Sequence, residues 1–287
     1  MCTFAGKTAK NMTETKRPEL ACYDMNDGHV LAFSTTRRGG VSTGNYAEFN
    51  INQYCGDEAQ AVGENRLALC RLLGLAPDRL IMPHQTHQTR VVRIDEPFLG
   101  LPGEERQQAL EGVDALMTDV EDVCIGVSTA DCIPVLLYDR RRRCACAVHA
   151  GWRGTVARIC EKAVREMGMA YGSDPADVVA QIGPGISLES FEVGQEVYDA
   201  FCNAGFGMES ISCQFPSASG EARWHIDLPL CNSLQLQAVG VPATTIATSP
   251  VCTFRQHDRF FSARRLGISS GRIFTGIIIS SSSASFH

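Results

Sequence analysis

The sequence predicts an α/β protein of the α+β kind: one domain, a mixed β-sheet covered by helices, and an antiparallel hairpin at the functional site. Three observations carry that prediction. Short runs rich in Val, Ile and Leu alternate irregularly with stretches of helical periodicity. Two of these runs, Ile133–Tyr138 and Cys144–Val148, are separated only by the polar, basic turn Asp139–Arg143. A parallel return needs a crossover of roughly a dozen residues or more, so this pair is antiparallel. The 287 residues also contain no internal repeat and no clear linker, and a chain of that length can bury a substantial core.

In chain order, residues 1–25 are expected to be a flexible N-terminal tail, polar at first and without the apolar core of a signal peptide. Residues 26–279 form the domain. His29–Thr36 reads as a strand that runs into Arg37-Arg38-Gly39-Gly40, a turn able to face an anion. Glu58–Leu73 is helical by pattern, with Ala61, Val62, Leu69 and Leu72 among its apolar positions and Gly74 as its C-cap. Ile81–Pro83 leads into His84-Gln85-Thr86-His87, and Val91–Ile94 is another strand. Asp95–Gly112, rich in Pro, Gly and Glu, reads as a surface excursion before the short strand Val113–Thr118.

Beyond the hairpin, Thr155–Met169 has helical periodicity, with Ile159, Ala163, Val164 and Met167 on one face. Val178–Ile182 is a strand that stops at Gly183-Pro184-Gly185, and Phe191–Phe201 reads as a helix. Asp227 fits an N-cap, with Pro229 in the first turn, for a helix through Val239. Thr244–Thr248 and Ile273–Ile279 are late strands, and residues 280–287 read as a disordered serine-rich tail.

Composition narrows the function. A net charge of −6 argues against broad nucleic-acid binding, and the basic run at 140–143 reads as a solvated hairpin tip. No apolar stretch reaches membrane-spanning length, so no membrane partner is expected. The 13 cysteines are odd in number and scattered, several of them in apolar runs, which favours reduced thiols in a cytoplasmic protein.

The hairpin register carries the chemical expectation. Pairing Tyr138 with Arg143 leaves a four-residue loop and puts Cys132 opposite His149. Opposed residues have Cβ atoms about 4.5–5.5 Å apart, so this thiol and imidazole can share a metal ion or a proton. A buried structural cysteine beside a strand-end histidine fits the same spacing. Next, Gly151-Trp152-Arg153-Gly154 joins strand to helix, where free N–H groups and the dipole can receive an anion and Arg153 can clamp it. A tight turn with a solvated arginine fits equally.

Of the seven histidines, His84 and His87 lie between strands and either can join Cys132 and His149 at a sheet end. One Cys and two His make three zinc ligands with a fourth position open, as in catalytic zinc sites. Alternatively, Cys132 is a nucleophile with His149 as its base.

Several motifs then resemble one family. They are TTRRGGVS (35–42), GDEAQAVGENR (56–66), HQTHQTRV (84–91), DALMTD (114–119), STADCIPVLLYD (128–139), AVHAGWRGTV (147–156), QIGPGISLESFEVGQEV (181–197) and CTF followed by FFSARRLGISSGR (252–272). Together they resemble the YfiH family, also called the laccase-domain, multicopper polyphenol oxidase or peptidoglycan editing factor family. The resemblance implies metal ligands His87, Cys132 and His149, its Gln-x-His motif selecting His87 over His84. Two positions depart from the family pattern: Gln88 stands where glycine is common, and Ala263 where an aromatic residue is common.

The resemblance further implies a metal-dependent purine nucleoside enzyme. Such an enzyme splits adenosine, inosine and methylthioadenosine with phosphate, giving free base and (methylthio)ribose 1-phosphate, and deaminates adenosine. The family's alternatives are copper-dependent phenol oxidation and Cys–His hydrolysis that edits a peptidoglycan precursor. A multicopper site uses repeated His-x-His pairs, which this chain lacks, and a Cys/His set suits zinc, with copper competing. The candidate catalytic residues are therefore Cys132, His149 and Asp131, the last as proton-transfer group, ligand orienter or plain turn residue. The candidates for phosphate are Arg37, Arg153 with Gly154, and Arg264.

Overall fold

The computed structural model describes residues 17–217 and 220–281. Its strands are mixed in direction and covered by helices, as expected, but they form three sheets rather than one. A five-stranded sheet runs in the order Leu20–Tyr23, Val30–Thr35, Ile273–Ile279, Cys124–Thr129, Leu80–Ile81. A six-stranded sheet runs in the order Ile246–Thr248, Val178–Ile182, Ile133–Asp139, Cys144–Ala150, Ala115–Thr118, Val91–Arg93.

The two large sheets face each other. Leu116, Leu136, Tyr138 and Ala147 of the six-stranded sheet share one buried cluster with Ala32, Ile125, Val127 and Ile277 of the other. The opposite face of the six-stranded sheet sends Val135, Leu137, Cys146 and Val148 against Ile159, Ala163, Val164 and Met167, the helical face read from the sequence. The far face of the five-stranded sheet packs Phe33 and Phe274 on Leu69 of helix Ala59–Leu73. Strands covered on both faces lose the polar alternation of a half-exposed strand, which is why Ile133–Asp139 is buried throughout and its residues 133–137 are all apolar.

Several expected elements are present with their chemistry. Gly74 closes helix Ala59–Leu73 at φ 68°, in the left-handed region that glycine adopts without a Cβ penalty. Asp227 accepts from the Leu230 amide at 2.9 Å and caps helix Leu228–Ala238. Strands Val178–Ile182 and Ile273–Ile279 have the expected bounds.

Other elements differ. Leu20–Tyr23, within the stretch expected to be a flexible tail, pairs antiparallel with Val30–Thr35. Residues 1–16 and 282–287 lie outside the described residues. The helix expected over Thr155–Met169 is two helices, Trp152–Val156 and Ile159–Tyr171, broken at Arg158 with φ 62°. The Arg158 guanidinium reaches back to Ala204 O at 2.7 Å, a tertiary bond that helical periodicity does not encode. Helix Gln195–Asn203 starts later than Phe191, because Glu192–Val193 pairs instead with Trp224 and His225 in the third sheet. The excursion after Asp95 contains short helices, Glu96–Leu99 and Gly103–Ala109. Among the described residues, no helix is long and apolar enough to cross a membrane.

The hairpin register also differs. Asp139 pairs with Cys144, so the loop keeps four residues but moves one position along the chain, and Pro134 rather than Cys132 lies opposite His149. Asp139 decides this. Its carboxylate accepts from the amides of Arg141 and Arg142 at 2.8 and 3.0 Å, so the turn starts after Asp139 instead of before it. The shift moves each pairing partner by two residues, which preserves facing; a shift of one would have separated Cys132 from His149.

Candidate active site

Three segments meet at one end of the six-stranded sheet. Cys132 immediately precedes strand Ile133–Asp139, His149 lies near the end of strand Cys144–Ala150, and His87 sits in the turn between strands Leu80–Ile81 and Val91–Arg93. The donor atoms of His87, Cys132 and His149 all lie within 4.8 Å of one another; His87 is exposed, Cys132 half-buried and His149 buried. The two imidazole rings meet edge to face at 74°. His84 lies apart from this set, stacked on Tyr54 at 4.1 Å and bonded to Glu111 through Nδ1 at 2.8 Å.

Asp114, which the sequence did not single out, organises the group. Its Oδ1 lies 2.7 Å from His149 Nδ1, which leaves Nε2 as the ring nitrogen available to Cys132. The same carboxylate accepts from the amides of His87 at 3.0 Å and Gln88 at 2.7 Å, and so supports the turn in which His87 adopts φ 62°. Burial alone would raise Asp114, but the His149 ring and the amides of Gln88 and Thr86 hold it below its ordinary value. The only sequence signal was its place at the head of the DALMTD motif. Gln85 anchors the turn's other side, its side chain exchanging hydrogen bonds of 2.8 Å with the carbonyl and amide of Ser128.

Charge is shared across the group. Burial pushes the Cys132 thiol up, but the charge on His149 and hydrogen bonds from His149 and His87 outweigh it and hold the thiol at about 6. Burial likewise pushes His149 down, while the Cys132 charge and the bonds to Asp114 and Cys132 raise it to about 9. Without a metal, the pair is therefore thiolate and imidazolium near neutral pH. Gly151 lies close by: a Cβ there would stand 3.0 Å from both Cys132 Sγ and His87 Cδ2.

The group opens into a cavity of about 540 Å³ whose walls include Asn52, Tyr54, Gln85, Phe191, Arg264 and Arg272. Asp131 also lines it, at φ 87°, but its carboxylate is committed to the Thr253 hydroxyl and the Arg264 amide, each at 2.7 Å. Those bonds tie Asp131, beside Cys132, to Thr253 and to the start of helix Ala263–Leu266.

The arginines separate. Arg264 lines the cavity, its guanidinium bonded to Glu192 O at 3.0 Å and 5.5 Å from the Phe191 ring. Arg37 does not: it donates to the carbonyls of Ala47 and His257, both at 2.7 Å, and lines a different surface cavity. Arg153 is also outside the cavity, exposed and lying over the Trp152 ring at 4.3 Å. Gly154 is buried where a Cβ would press to 3.3 Å from Gln88 O, so the backbone packs closely there. Of the three candidate arginines, Arg264 alone is among the residues lining the Cys132–His149 cavity.

A protein of sheets covered by helices, with a Cys/His donor set lining an open cavity, has the architecture of an enzyme-like pocket. The family model "Multi-copper polyphenol oxidoreductase laccase" matches residues 31–280, and the chain belongs to that family. It is 48% identical over 251 residues to a protein of Bacteroides thetaiotaomicron named purine nucleoside phosphorylase, covering 88% of this chain and 92% of the relative. It is 47% identical over 248 residues to adenosine deaminase RL5 from an unknown prokaryotic organism, covering 86% and 93%. Among solved structures, YlmD of Geobacillus stearothermophilus superposes with a TM-score of 0.80 at 30% identity, covering 88% of this chain and 92% of that one. YfiH of Bacillus licheniformis gives 0.79, also at 30% identity, with 88% and 93% covered.

Proposed function

We propose that this chain is a zinc-dependent purine nucleoside enzyme. It cleaves adenosine, inosine and methylthioadenosine with phosphate, releasing free base and (methylthio)ribose 1-phosphate, and it deaminates adenosine. The observation that carries the reading is the convergence of His87, Cys132 and His149 on one cavity. The names of the relatives point the same way.

The donor set fits a metal ion. One thiol held in its anionic form and two imidazoles are soft-to-borderline donors suited to zinc, and copper competes for such a set. Asp114 fixes the His149 ring so that Nε2 points toward the other donors, as carboxylates do behind metal-ligating histidines. When bound, zinc with three protein ligands supplies a Lewis acid for a water or a substrate oxygen.

The chain's own groups do the rest. Phe191 offers an apolar wall for the purine, and Gln85, Asn52 and Ser128 surround the cavity with a hydrogen-bonded amide and hydroxyl set suited to the ribose. Arg264 lies where its charge can position phosphate. Asp131 maintains the loop that presents Cys132.

Two readings compete. A copper oxidase of the family's name would need several metal centres, and the described residues contain one three-donor group. A peptidoglycan-editing hydrolase would use Cys132 as nucleophile and His149 as base, which the thiolate–imidazolium pair also favours. Product chromatography with adenosine, with and without phosphate, tests the proposal. Chelation should abolish turnover and zinc restore it. Full activity in metal-free protein, together with inactivation by iodoacetamide, would make Cys132 a nucleophile instead.

A further inference from the structure

A second cavity, of about 260 Å³, shares Tyr54 with the first and is lined by two arginines, Arg66 and Arg106. Arg66 projects from helix Ala59–Leu73 and donates to the main-chain carbonyl of Leu80 at 3.2 Å. Arg106, from helix Gly103–Ala109, donates to the main-chain carbonyls of Asp78 and Leu99, and its side chain lies over the Phe98 ring at 5.8 Å. Every one of these acceptors is neutral. Among the described residues, no carboxylate pairs with either guanidinium. The one acid lining the cavity, Asp78, meets Arg106 through its carbonyl. Arg106 Nε is buried without any acceptor.

Both arginines are half-buried, and a cation partly withdrawn from water is favoured by an anionic partner. An unmatched buried donor calls for an ion or a water to complete it. Burial lowers the proton affinity of Arg66, as expected of a cation with no acid beside it. Arg66 and Arg106 bring two guanidinium charges, without a carboxylate partner, to the lining of one space, and that space is small compared with ligand pockets of about 300–1,000 Å³.

We propose that this second cavity is an oxyanion site in which Arg66 and Arg106 bind a phosphate dianion, free or carried by a small sugar phosphate. Tyr54 separates it from the His87–Cys132–His149 cavity, and the Tyr54 ring stacks on His84 there, so an anion on one side steadies a wall of the other. The proposal stands independently of the catalytic reading.

Phosphorus-31 NMR and calorimetric titration of the zinc-loaded full chain with inorganic phosphate test it, with ribose 1-phosphate in a parallel arm. The expected result is a phosphate site that His87→Ala leaves intact and Arg106→Gln weakens at least tenfold. Arg66→Lys, which keeps the charge but loses the fork, should weaken it as well. Because Arg66 is the more buried, circular dichroism accompanies that variant, and Arg106→Gln decides if it fails to fold. Tighter binding of ribose 1-phosphate would identify the sugar phosphate as the preferred source. Phosphate affinity unchanged by Arg106→Gln, affinity lost in His87→Ala, or neither ligand binding at millimolar concentration would overturn the proposal.

Discussion

Asp114 grips His149 twice: Oδ1 lies 2.7 Å from the ring Nδ1, and the main-chain carbonyl accepts the His149 amide at 2.8 Å. Both side chains are withdrawn from solvent. The same carboxylate carries the His87 turn, so one residue sets the position of two donors on different segments.

Asp114→Asn should therefore loosen the metal without unfolding the chain. Outer partners of metal-ligating histidines are generally worth 10–100-fold in affinity. Competition with a chromophoric chelator should show a loss in that range, with an unchanged circular dichroism spectrum. Asp114→Ala should also cost about 1–3 kcal/mol of stability by stranding the amides of Thr86, His87 and Gln88. Wild-type affinity in Asp114→Asn would locate the orienting force elsewhere.

The pH dependence of the metal-free protein follows from the thiol–imidazole pair. Cys132 is held at about 6, below the ordinary thiol value, so its stabilising contribution is fully present above that ordinary value and is lost as pH falls through about 6. His149 is raised to about 9, so its contribution is fully present below the ordinary imidazole value and is lost as pH rises through about 9. The melting temperature of metal-free protein should peak between those limits, and Cys132→Ser should flatten the peak. Zinc affinity should fall on acidification, because protons compete for the same donors.

Gly151→Ala tests the crowding beneath the donors. Gly151 has φ −69°, so alanine costs nothing in backbone conformation, and any effect comes from the methyl 3.0 Å from Cys132 Sγ and His87 Cδ2. We expect zinc affinity to fall roughly tenfold, since displaced ligands weaken a metal site much as a lost supporting contact does. A melting temperature that falls while zinc affinity stays unchanged would mean that the site absorbs the methyl.

The arginines should behave differently from one another. Arg264→Ala should weaken phosphate use by about 1.5–3 kcal/mol, the range for a charge-assisted hydrogen bond, and spare phosphate-independent deamination. Arg153→Ala should leave both reactions nearly unchanged, because its guanidinium lies over Trp152 outside the cavity. Steady-state kinetics with and without phosphate distinguish the two. Selective loss of phosphorolysis in Arg153→Ala would return the anion clamp to that turn.

The sequence by itself determined what depends on local chemistry. Periodicity marked the buried face of Ile159, Ala163, Val164 and Met167, cap residues marked Gly74 and Asp227, and a short polar turn made the Cys132–His149 hairpin antiparallel. Motif resemblance alone preferred His87 to His84. Tertiary structure decided what depends on competition among distant groups. Asp139 captured the turn amides and moved the register, while Arg158 bonded to Ala204 and broke a helix whose apolar spacing continues past it. Arg37 and Arg153 carry the same charge as Arg264, and only packing sends the first to carbonyls, the second to an indole and the third to the cavity. Asp114 became visible only when folding brought it against His149, 35 positions away in the chain, because residue spacing records what a side chain can bond but not which partner the fold presents to it.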